Sequence, residues 1–470
     1  MIVMKHIENK VDIMTPHEVQ LVHETSLKIL SEIGMSVPNR EVLKKCEDIG
    51  GIVDYEKQTV KIPVKVMEDL IEKIQAKSKR DDSVKNKLNG SISTQVFYFD
   101  YETKTRRYGV MDDIYKGIKL IDTLKNFWGT SAIVVPSDVP ANISDVKAFH
   151  AVYSYAKKEG GTFILTKTGA KYIVEMSKAM GRGCGYFLET VSPLQYRKES
   201  LEIALEMSKM GCGISVGPMV IGGAIGPITI AGNCALQNAE ILGSMFIGNA
   251  LTGQLQFGYG CFNHSMDLKT MVCSFGSPNQ ALLGMAAGQM GRFYGLSSVS
   301  NSGLTDSLIP DFQAGFEKAS SAVFSLLAGN CGIGGQGIVG ADQGVSLEQL
   351  VIDNEWMDMY NYIMSGFEVN EDTLAYDVIK EVGIGGNYIA EEHTVRHIKD
   401  SYKASRLFNR DNYEIWNMNG KISTYDRAHE YVEDVTKGYK NMEPVVPPTT
   451  FEELNRILAE AEKELSLERE

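Results

Sequence analysis

Residues 185–220 read GYFLETVSPLQYRKESLEIALEMSKMGCGISVGPMV, and they contain the repeating unit from which the fold can be predicted. A short aromatic and aliphatic run (185–191) precedes an amphipathic stretch of helical period (197–210), and a second short run follows (213–220). Two strand-like runs joined by a helix are typical of neighbouring parallel strands with a crossover helix. The unit therefore predicts an α/β fold.

The same alternation recurs from about residue 128 onward. Helical length and period are also found in residues 144–158, 278–294 and 347–364. Strand-like composition is found in eight runs, at residues 130–135, 162–166, 185–191, 213–220, 252–259, 296–300, 332–339 and 385–389. Eight parallel strands with crossover helices most economically close as a (β/α)8 barrel of the TIM type, and an open doubly wound sheet is the alternative. In both folds the site lies at the carboxyl ends of the strands.

This pattern divides the chain into three parts. Residues 126–400 are predicted to form the barrel, residues 1–125 a helical extension with a lid-like segment, and residues 401–470 a helical appendage packed on the barrel. The charged residues 77–82 are interpreted as a solvated boundary.

Helix-capping signals mark the two ends of the chain. Thr15 is predicted to cap the first helix, with Pro16 at its first position and Glu18 completing a capping box. Gly34 is predicted to end that helix. A second box, Thr450 with Glu453, predicts the start of the C-terminal helix.

Composition and charge exclude several classes of protein. With 470 residues, of which 43% are apolar and 23% charged, the chain can bury a large core. No run reaches about 18 apolar residues, so we expect no membrane span, and charges interrupt the apolar N-terminal residues, so we expect no secretion signal. A net charge of −13 disfavours binding to nucleic acid. Seven scattered cysteines without a C-x-x-C pair indicate reduced thiols and a cytoplasmic protein.

Three generic motifs lack the context that their function needs. Residues 332–337 match G-x-G-x-x-G, but loop-like residues follow instead of a helix, so an NAD-dependent oxidoreductase remains only an alternative. Residues 213–217 match G-x-S-x-G, but Pro218 and apolar residues follow where a nucleophile elbow requires a helix. His393 and His397 share one helix face as zinc ligands do, but H-E-x-x-H is absent, and we favour the interpretation of a polar helix start.

Two further segments place amide and carboxylate side chains at strand-to-helix corners, GPITIAGNCALQNAE at residues 226–240 and NSGLTDSLIPDFQAGFE at residues 301–317. Together with LVHETSLKILSEIG (21–34) and EEHTVRH (391–397), they resemble the trimethylamine methyltransferase family over roughly the whole chain. The resemblance implies a β/α barrel with additional N-terminal helices. It also implies transfer of a methyl group from a methylated amine to the cobalt of a separate corrinoid protein.

The resemblance also restricts the class of substrates to be expected. Archaeal trimethylamine enzymes of this family contain pyrrolysine, whereas this chain has only standard residues. It therefore resembles the branch that acts on quaternary amines such as glycine betaine, proline betaine and carnitine. A quaternary ammonium already carries the charge that makes its amine a leaving group, so we expect orientation and desolvation to suffice, and no metal site.

The corrinoid is expected to arrive on a partner. No histidine of this chain lies in the D-x-H-x-x-G context of corrinoid-binding domains, so the chain is predicted to bind no cofactor itself. The partners expected are a quaternary amine, a small corrinoid-binding protein and further copies of the chain in a homo-oligomer. A non-catalytic cytoplasmic betaine-binding protein is the alternative from another functional class.

Candidate site residues follow from what a betaine needs. Its trimethylammonium group has no N–H and is held by aromatic faces, for which the candidates are Tyr98, Phe99, Tyr101, Tyr259, Phe262 and Trp356. Its carboxylate needs a cation or several donors, for which the candidates are Lys167, Gln256, His264, Asn301 and Gln336. No catalytic residue is assigned outright, and the candidates are Glu189 and Asp306. For Asp311 and Glu317, helix capping and function are equally good interpretations.

Overall fold

The computed structural model describes residues 10–78 and 87–467, in which helices alternate with short strands in a mixed α/β fold, as predicted. The charged residues 77–82 lie mostly outside the described part, as do the first nine residues of the chain. Among the helices of the described residues, none is long and apolar enough to cross a membrane.

The first helix begins at the predicted capping box. The Thr15 hydroxyl accepts a hydrogen bond from the Glu18 N–H at 3.3 Å, and the Glu18 carboxylate accepts one from the Thr15 N–H at 2.7 Å. A π-helical segment (Ile29–Ile33) extends the helix to Gly34, where φ is 84° and a Cβ would lie 2.3 Å from the Val60 carbonyl oxygen. The elements of this part are α1 (Pro16–Lys28), β1 (Met35–Ser36), α2 (Arg40–Asp48), β2 (Ile52–Asp54), β3 (Thr59–Lys61) and α3 (Val64–Lys77).

The central part of the chain contains the predicted alternation. Its elements are β4 (Asn89–Ile92), β5 (Phe97–Asp100), β6 (Thr105–Tyr108), α4 (Met111–Ile121), β7 (Thr130–Ser131), α5 (Ser144–Tyr155), β8 (Gly160–Gly161), α6 (Lys167–Ala179), β9 (Gly185–Leu188), α7 (Lys198–Lys209), β10 (Gly213–Val216), β11 (Ile221–Gly222), α8 (Ile230–Thr252), β12 (Tyr259–Cys261), β13 (His264–Asp267), β14 (Val272–Ser274), α9 (Pro278–Phe293), β15 (Ser298–Ser300), α10 (Phe312–Leu327), β16 (Gly332–Gln336), β17 (Ile338–Val339), β18 (Gly344–Val345) and α11 (Leu347–Met364).

Parallel pairing connects these strands. One sheet has the order β12-β15-β16-β4, with every neighbouring pair parallel. A parallel bridge joins Gly90 of β4 to Phe127, just before β7, and β7 is parallel to β8. A further parallel pair is formed by β9 and β10. The apolar helix α8 is buried over most of its length, between α1 and α2 on one side and β10 on the other.

Several predicted strands are shifted or wrong. The run at 385–389 forms no strand, and the strand that pairs with β16 is instead β4, which lies in the segment predicted as an extension. The run at 252–259 begins too early, because α8 continues to Thr252 and is capped by the left-handed Gly253. The run at 162–166 begins too late, because β8 lies at Gly160–Gly161 and Thr166 caps α6.

Helices form the C-terminal part. They are α12 (Glu371–Leu374), α13 (Tyr376–Val382), α14 (Glu392–Ser401), α15 (Tyr413–Met418), α16 (Thr424–Thr436) and α17 (Pro448–Leu467). The last helix starts at Pro448, so the capping box predicted at Thr450 is wrong. It packs on α5 and α6, where His150 Nε2 lies 2.9 Å from Asn455 Oδ1.

Candidate functional site

A cavity of about 1090 Å³ opens at the carboxyl ends of the parallel strands. It is large enough for a small-molecule ligand. The strands and the residues that follow them contribute lining residues, which include Ile92, Ser131, Phe187, Ser215, Asn301 and Gly334. Of the predicted site residues, Glu189, Phe262 and Asn301 line this cavity.

Phenylalanine rings form one wall of the cavity. Phe187 and Phe262 are edge to face, with ring centroids 5.9 Å apart and an interplanar angle of 61°, and Phe275 and Phe163 also line the cavity. The rings close over Gly217, where a Cβ would lie 2.2 Å from the Phe262 ring. Only glycine leaves space for both rings here. The glycine that completes the G-x-S-x-G match therefore makes room for an aromatic wall, and Ser215 lies within β10 rather than on a turn.

Two carboxylates, Glu189 and Asp342, face the same cavity. Solvent reaches both through the opening, yet the surrounding protein raises both pKa values above the ordinary range by desolvation, and the Asp342 charge raises the pKa of Glu189 further. Arg197, which also lines the cavity, acts in the opposite direction on the pKa of Glu189. A cation that enters this space would relieve the repulsion between the two carboxylates.

Asp342 is held in place by an unusual backbone and by one amide. Ala341 and Asp342 both have left-handed backbone conformations, with φ of 51° and 66°. Non-glycine residues adopt this region at a cost, and it is often found at functional sites. Gln95 Nε2 donates to Asp342 Oδ1 at 2.6 Å, and this bond opposes the rise in the pKa of Asp342.

A polar layer supports the aromatic wall from behind. Asn301 Nδ2 lies 3.1 Å from Nε2 of the buried His264, whose ring stacks on Phe275 at 4.1 Å. Burial lowers the pKa of His264 to about 4, so its imidazole is neutral near pH 7 and Nε2 can accept from Asn301. Asp306 accepts from the Phe275 N–H and the Ser274 hydroxyl, both at 2.6 Å. His264 and Asp306 thus contact lining residues and position the Phe275 loop.

The structure shows which groups the carboxylates of Asp311 and Glu317 contact. For both residues, helix capping and function were equally good interpretations. Asp311 caps α10 by accepting from the Ala314 N–H at 2.9 Å. Glu317 accepts from the Thr305 hydroxyl at 2.6 Å and from the Asp306 N–H at 2.9 Å. Both carboxylates therefore shape the corner between β15 and α10.

Gln336 and Trp356 lie in a buried polar network below the cavity. Gln336 ends β16, three residues before the end of the predicted run 332–339, and its Nε2 donates to the Gly334 carbonyl at 3.0 Å. Trp356 Nε1 donates to Asp353 Oδ1 at 2.9 Å. The polypeptide turns after Gln336 into the short strand β17 rather than into a helix, so the glycine-rich residues 332–337 lack the helix that a dinucleotide site needs.

In the aromatic cluster at residues 97–101, Phe97–Asp100 form strand β5 and Tyr101 follows it, all of them outside the cavity lining. Arg107 covers the buried Tyr98 ring at 4.4 Å, and Phe99 packs against Gly344. Tyr101 donates to Asp426 at 2.6 Å and stacks on His429 at 3.6 Å. These rings join the strand to β6, β18 and α16 instead of lining the cavity.

The remaining candidates also lie apart from the cavity lining. Lys167 is the first residue of α6 and lies 3.7 Å from a Glu206 carboxylate oxygen. Gln256 is exposed and precedes β12, at the amino end of that strand. Tyr259 is buried, and its hydroxyl donates to Asn238 at 2.9 Å.

Comparison with known proteins agrees with the resemblance in the sequence. Residues 2–466 match the trimethylamine methyltransferase (MTTB) family. A trimethylamine methyltransferase MttB of Desulfitobacterium hafniense is 27% identical over 472 residues, which cover 96% of this chain and 94% of that protein. A glycine betaine methyltransferase of the same species is also 27% identical, over 98% of this chain and 99% of that protein. The MttB of Methanosarcina thermophila is 26% identical, over 92% of this chain and 94% of that protein. The chain therefore belongs to the trimethylamine methyltransferase family.

Proposed function

We propose that this methyltransferase moves a methyl group from a quaternary ammonium compound of the betaine type to the Co(I) of a corrinoid on a separate protein. The observation that carries the proposal is the cavity, in which phenylalanine rings lie beside two carboxylates and an arginine. Family membership and the near full-length similarity to a glycine betaine methyltransferase support it. Proline betaine, glycine betaine and carnitine share the two charged groups that this cavity would bind.

The cavity suits a trimethylammonium group because such a group can be held without hydrogen bonds. Cation–π and dispersion contacts with Phe187, Phe262 and Phe275 would each contribute about 0.5–2 kcal/mol. Glu189 and Asp342 would lie close enough to offset the positive charge. Arg197 is the lining residue that would bind the substrate carboxylate, since a guanidinium pairs well with carboxylates.

The chemistry then requires little from acids or bases. The methyl carbon forms a bond to cobalt while its bond to nitrogen breaks, and the nitrogen keeps the electron pair and leaves as a neutral tertiary amine. No proton moves in this step. The contribution of this chain is to hold one methyl group towards the cavity opening, to exclude water and to stabilise the charged reactant in that orientation.

The arrangement of strands supports a closed (β/α)8 barrel, in which β4 is the first strand and β16 the last. The parallel order β12-β15-β16-β4 and the bridge from β4 towards β7 agree with this closure. The barrel would then begin near residue 89 rather than at 126, with the preceding residues as a helical extension and residues 401–470 as the appendage. A barrel mouth open at the carboxyl ends would admit the corrinoid of the partner.

The proposal also includes the corrinoid partner, the oligomeric state and the cellular location of the enzyme. The chain itself holds no corrinoid and relies on a small corrinoid-binding protein. It forms a homo-oligomer, which is supported by exposed apolar side chains such as Phe312, 86% exposed, and Ile389, 80% exposed. It acts in the cytoplasm, which is supported by seven cysteines that are all free thiols.

A substrate panel tests the proposed reaction. Purified enzyme is mixed with cob(I)alamin and, in turn, with glycine betaine, proline betaine, carnitine and trimethylamine, and absorption spectra follow the conversion of Co(I) to methyl-Co(III). At least one quaternary amine should react, and its product should be the amine with one methyl group fewer.

Two outcomes would contradict the proposal. Reaction of trimethylamine alone would assign the enzyme to tertiary amines. Binding of a betaine in calorimetry, without methyl transfer either to cobalamin or to a corrinoid-binding protein, would indicate a binding protein.

A further inference from the structure

A poorly packed arm follows α11, and we define it as residues 366–402. Its helices α12, α13 and α14 contain no buried residue. Large apolar side chains are instead exposed along it, among them Phe367 at 78% and Tyr376 at 70%. Burial of apolar surface therefore contributes little to holding the arm in one conformation. Other contacts are needed to join α12 to α14.

Three potential metal ligands converge between those two helices. His393 and His397 lie one turn apart on α14, with ring centroids 4.4 Å apart, and Asp372 reaches them from α12. One ligand atom from each of the three residues lies within 4.8 Å of the others. The sequence contains the histidine pair, but Asp372 is 21 residues away from His393 and becomes a neighbour only in the folded chain. His393 Nε2 lies 3.1 Å from the Asp372 carbonyl oxygen, and a metal bound through that nitrogen would replace this contact.

The contact between His397 and Asp372 brings two potential ligand atoms to a separation that a metal site would require. Nε2 of His397 is shielded from solvent and makes no hydrogen bond of acceptable geometry, although Asp372 Oδ2 lies only 3.1 Å away. An Nε2–H of His397 could donate to the carboxylate at this distance, and a divalent cation bound by both atoms is the alternative way to join them. Zinc bonds of about 2.0–2.1 Å in a tetrahedral site place two ligand atoms about 3.3 Å apart, which is close to the separation observed here.

Arg396 binds one oxygen of the Asp372 carboxylate more closely than the other. Its Nη2 lies 3.1 Å from Asp372 Oδ1, whereas its Nη1 is 3.5 Å from Oδ2. The oxygen that faces His397 is therefore the one that is less tightly held by the guanidinium. Because Arg396 is positively charged, it orients Asp372 but also weakens the attraction of the site for a cation.

We propose that Asp372, His393 and His397 bind one divalent transition-metal ion, with zinc as the expected ion, and that this ion fastens α12 to α14. Two imidazoles and one carboxylate favour zinc, cobalt or nickel over magnesium and calcium, which prefer oxygen ligands. None of the three residues lines the cavity, so the ion is structural and takes no part in methyl transfer. The proposed ion departs from the expectation of no metal site, whereas the expectation that methyl transfer itself needs no metal is unaffected.

Metal titration of the full chain tests the site. Protein stripped with a chelator and desalted is titrated with Zn²⁺ against a chromophoric competitor, and with Co²⁺ while the visible absorption is recorded. We expect one ion per chain, and visible bands of cobalt with nitrogen and oxygen ligands. Asp372→Asn, His393→Ala and His397→Ala should each weaken binding at least about tenfold, since loss even of a residue that only supports a ligand costs that much.

Two control variants make the result specific. His17→Ala removes an exposed histidine outside the arm and should bind zinc like the wild type. Arg396→Ala removes a positive charge while leaving every ligand in place, so it should bind zinc at least as tightly as the wild type. If the cluster were only an ion pair, zinc would have no effect, and Arg396→Ala would expose residues 366–402 to proteolysis as much as Asp372→Asn.

Limited proteolysis provides a readout that does not depend on activity. Zinc should slow cleavage within residues 366–402 of the wild type and leave cleavage of the three ligand variants unchanged. No zinc binding by the wild type at micromolar concentration, or full binding retained by all three ligand variants, would overturn the proposal.

Discussion

Lys318 Nζ lies 3.0 Å from Asp353 Oδ2, and both side chains are completely buried. The carboxylate also accepts from the Gly337 N–H at 2.8 Å and from Gln349 Nε2 at 2.8 Å, and Lys318 donates to the Gly303 carbonyl at 3.0 Å. These bonds connect α10 and α11 to the backbone just after β15 and β16. The pair thus holds α10 and α11 against the ends of β15 and β16, where the cavity residues Asn301 and Gly334 lie.

Asp353→Ala should lower the free energy of unfolding by about 3–5 kcal/mol, because it leaves the Lys318 ammonium buried without its counter-charge. Urea unfolding followed by circular dichroism measures the change. Asp69→Ala, which breaks an exposed pair with Lys65, is the control and should leave the midpoint almost unchanged. Equal midpoints for the two variants would show that the Asp353 carboxylate contributes no more to stability than the exposed Asp69 carboxylate does.

His264 should make the protein sensitive to mild acid. Its folded-state pKa of about 4 lies below the ordinary 6.5, so the unfolded chain binds the proton more readily. Stability from this group is complete above pH 6.5 and is lost as the pH falls towards 4. Between pH 7 and 5 the loss is about 2 kcal/mol.

Chemical denaturation at pH 7 and pH 5 checks this value. His264→Gln should be less stable at pH 7 but should lose about 2 kcal/mol less than the wild type on acidification. His17→Gln serves as the control, with the acid sensitivity of the wild type. An unchanged pH dependence in His264→Gln would assign the acid sensitivity to other groups.

The sequence predicts the framework of the fold because periodicity is a local property. Helix α11 has the predicted bounds, Leu347–Met364, and α9 differs from its prediction by one residue at the C-terminal end. The strand β4 was missed because Asn89-Gly-Ser-Ile92 has few β-branched residues, and only its pairing with β16 makes it a strand. The run at 385–389 has suitable composition but no partner strand among the described residues.

The site was predictable only where a strand end determines it. Asn301 directly follows the predicted run 296–300, Glu189 lies inside the predicted run 185–191 and directly follows the observed strand β9, and both line the cavity. Phe187 could have been found from alternation along β9, since Tyr186 and Leu188 are buried on the opposite face. Asp342 could not, because its position depends on a left-handed backbone and on Gln95, which is 247 residues away. The cluster at residues 97–101 was misleading because its rings pack against distant elements.

Loss of either ring in the aromatic wall should weaken substrate binding. Phe187→Ala and Phe262→Ala should each raise KM for the reactive betaine about tenfold, the effect of one cation–π contact. Gly217→Ala should act similarly, because its methyl group would displace the Phe262 ring. Steady-state kinetics with cob(I)alamin measures these changes.

The controls are a phenylalanine and a glycine outside the cavity. Phe312→Ala removes an exposed ring of α10, and Gly315→Ala adds a methyl group that meets no atom within 4 Å. Both should retain the wild-type KM. If Phe187→Ala and Phe262→Ala also retain it, the ammonium group is bound elsewhere.

Charge in the cavity should distinguish a betaine from an isostere of the same shape that lacks the positive charge. Glu189→Gln and Asp342→Asn preserve size and remove one negative charge each, so each should raise KM for glycine betaine about tenfold if one carboxylate contributes about 1.4 kcal/mol to binding the cation. The carbon isostere 3,3-dimethylbutanoate lacks the positive charge, and its inhibition constant should stay constant or fall in both variants.

Because the pKa of Glu189 is raised, KM of the wild type should increase on acidification as this carboxylate becomes protonated, and Glu189→Gln should lose part of that dependence. Glu202→Gln on α7, outside the cavity lining, is the matched control. Equal losses for glycine betaine and its isostere would show that these residues shape the cavity without recognising charge.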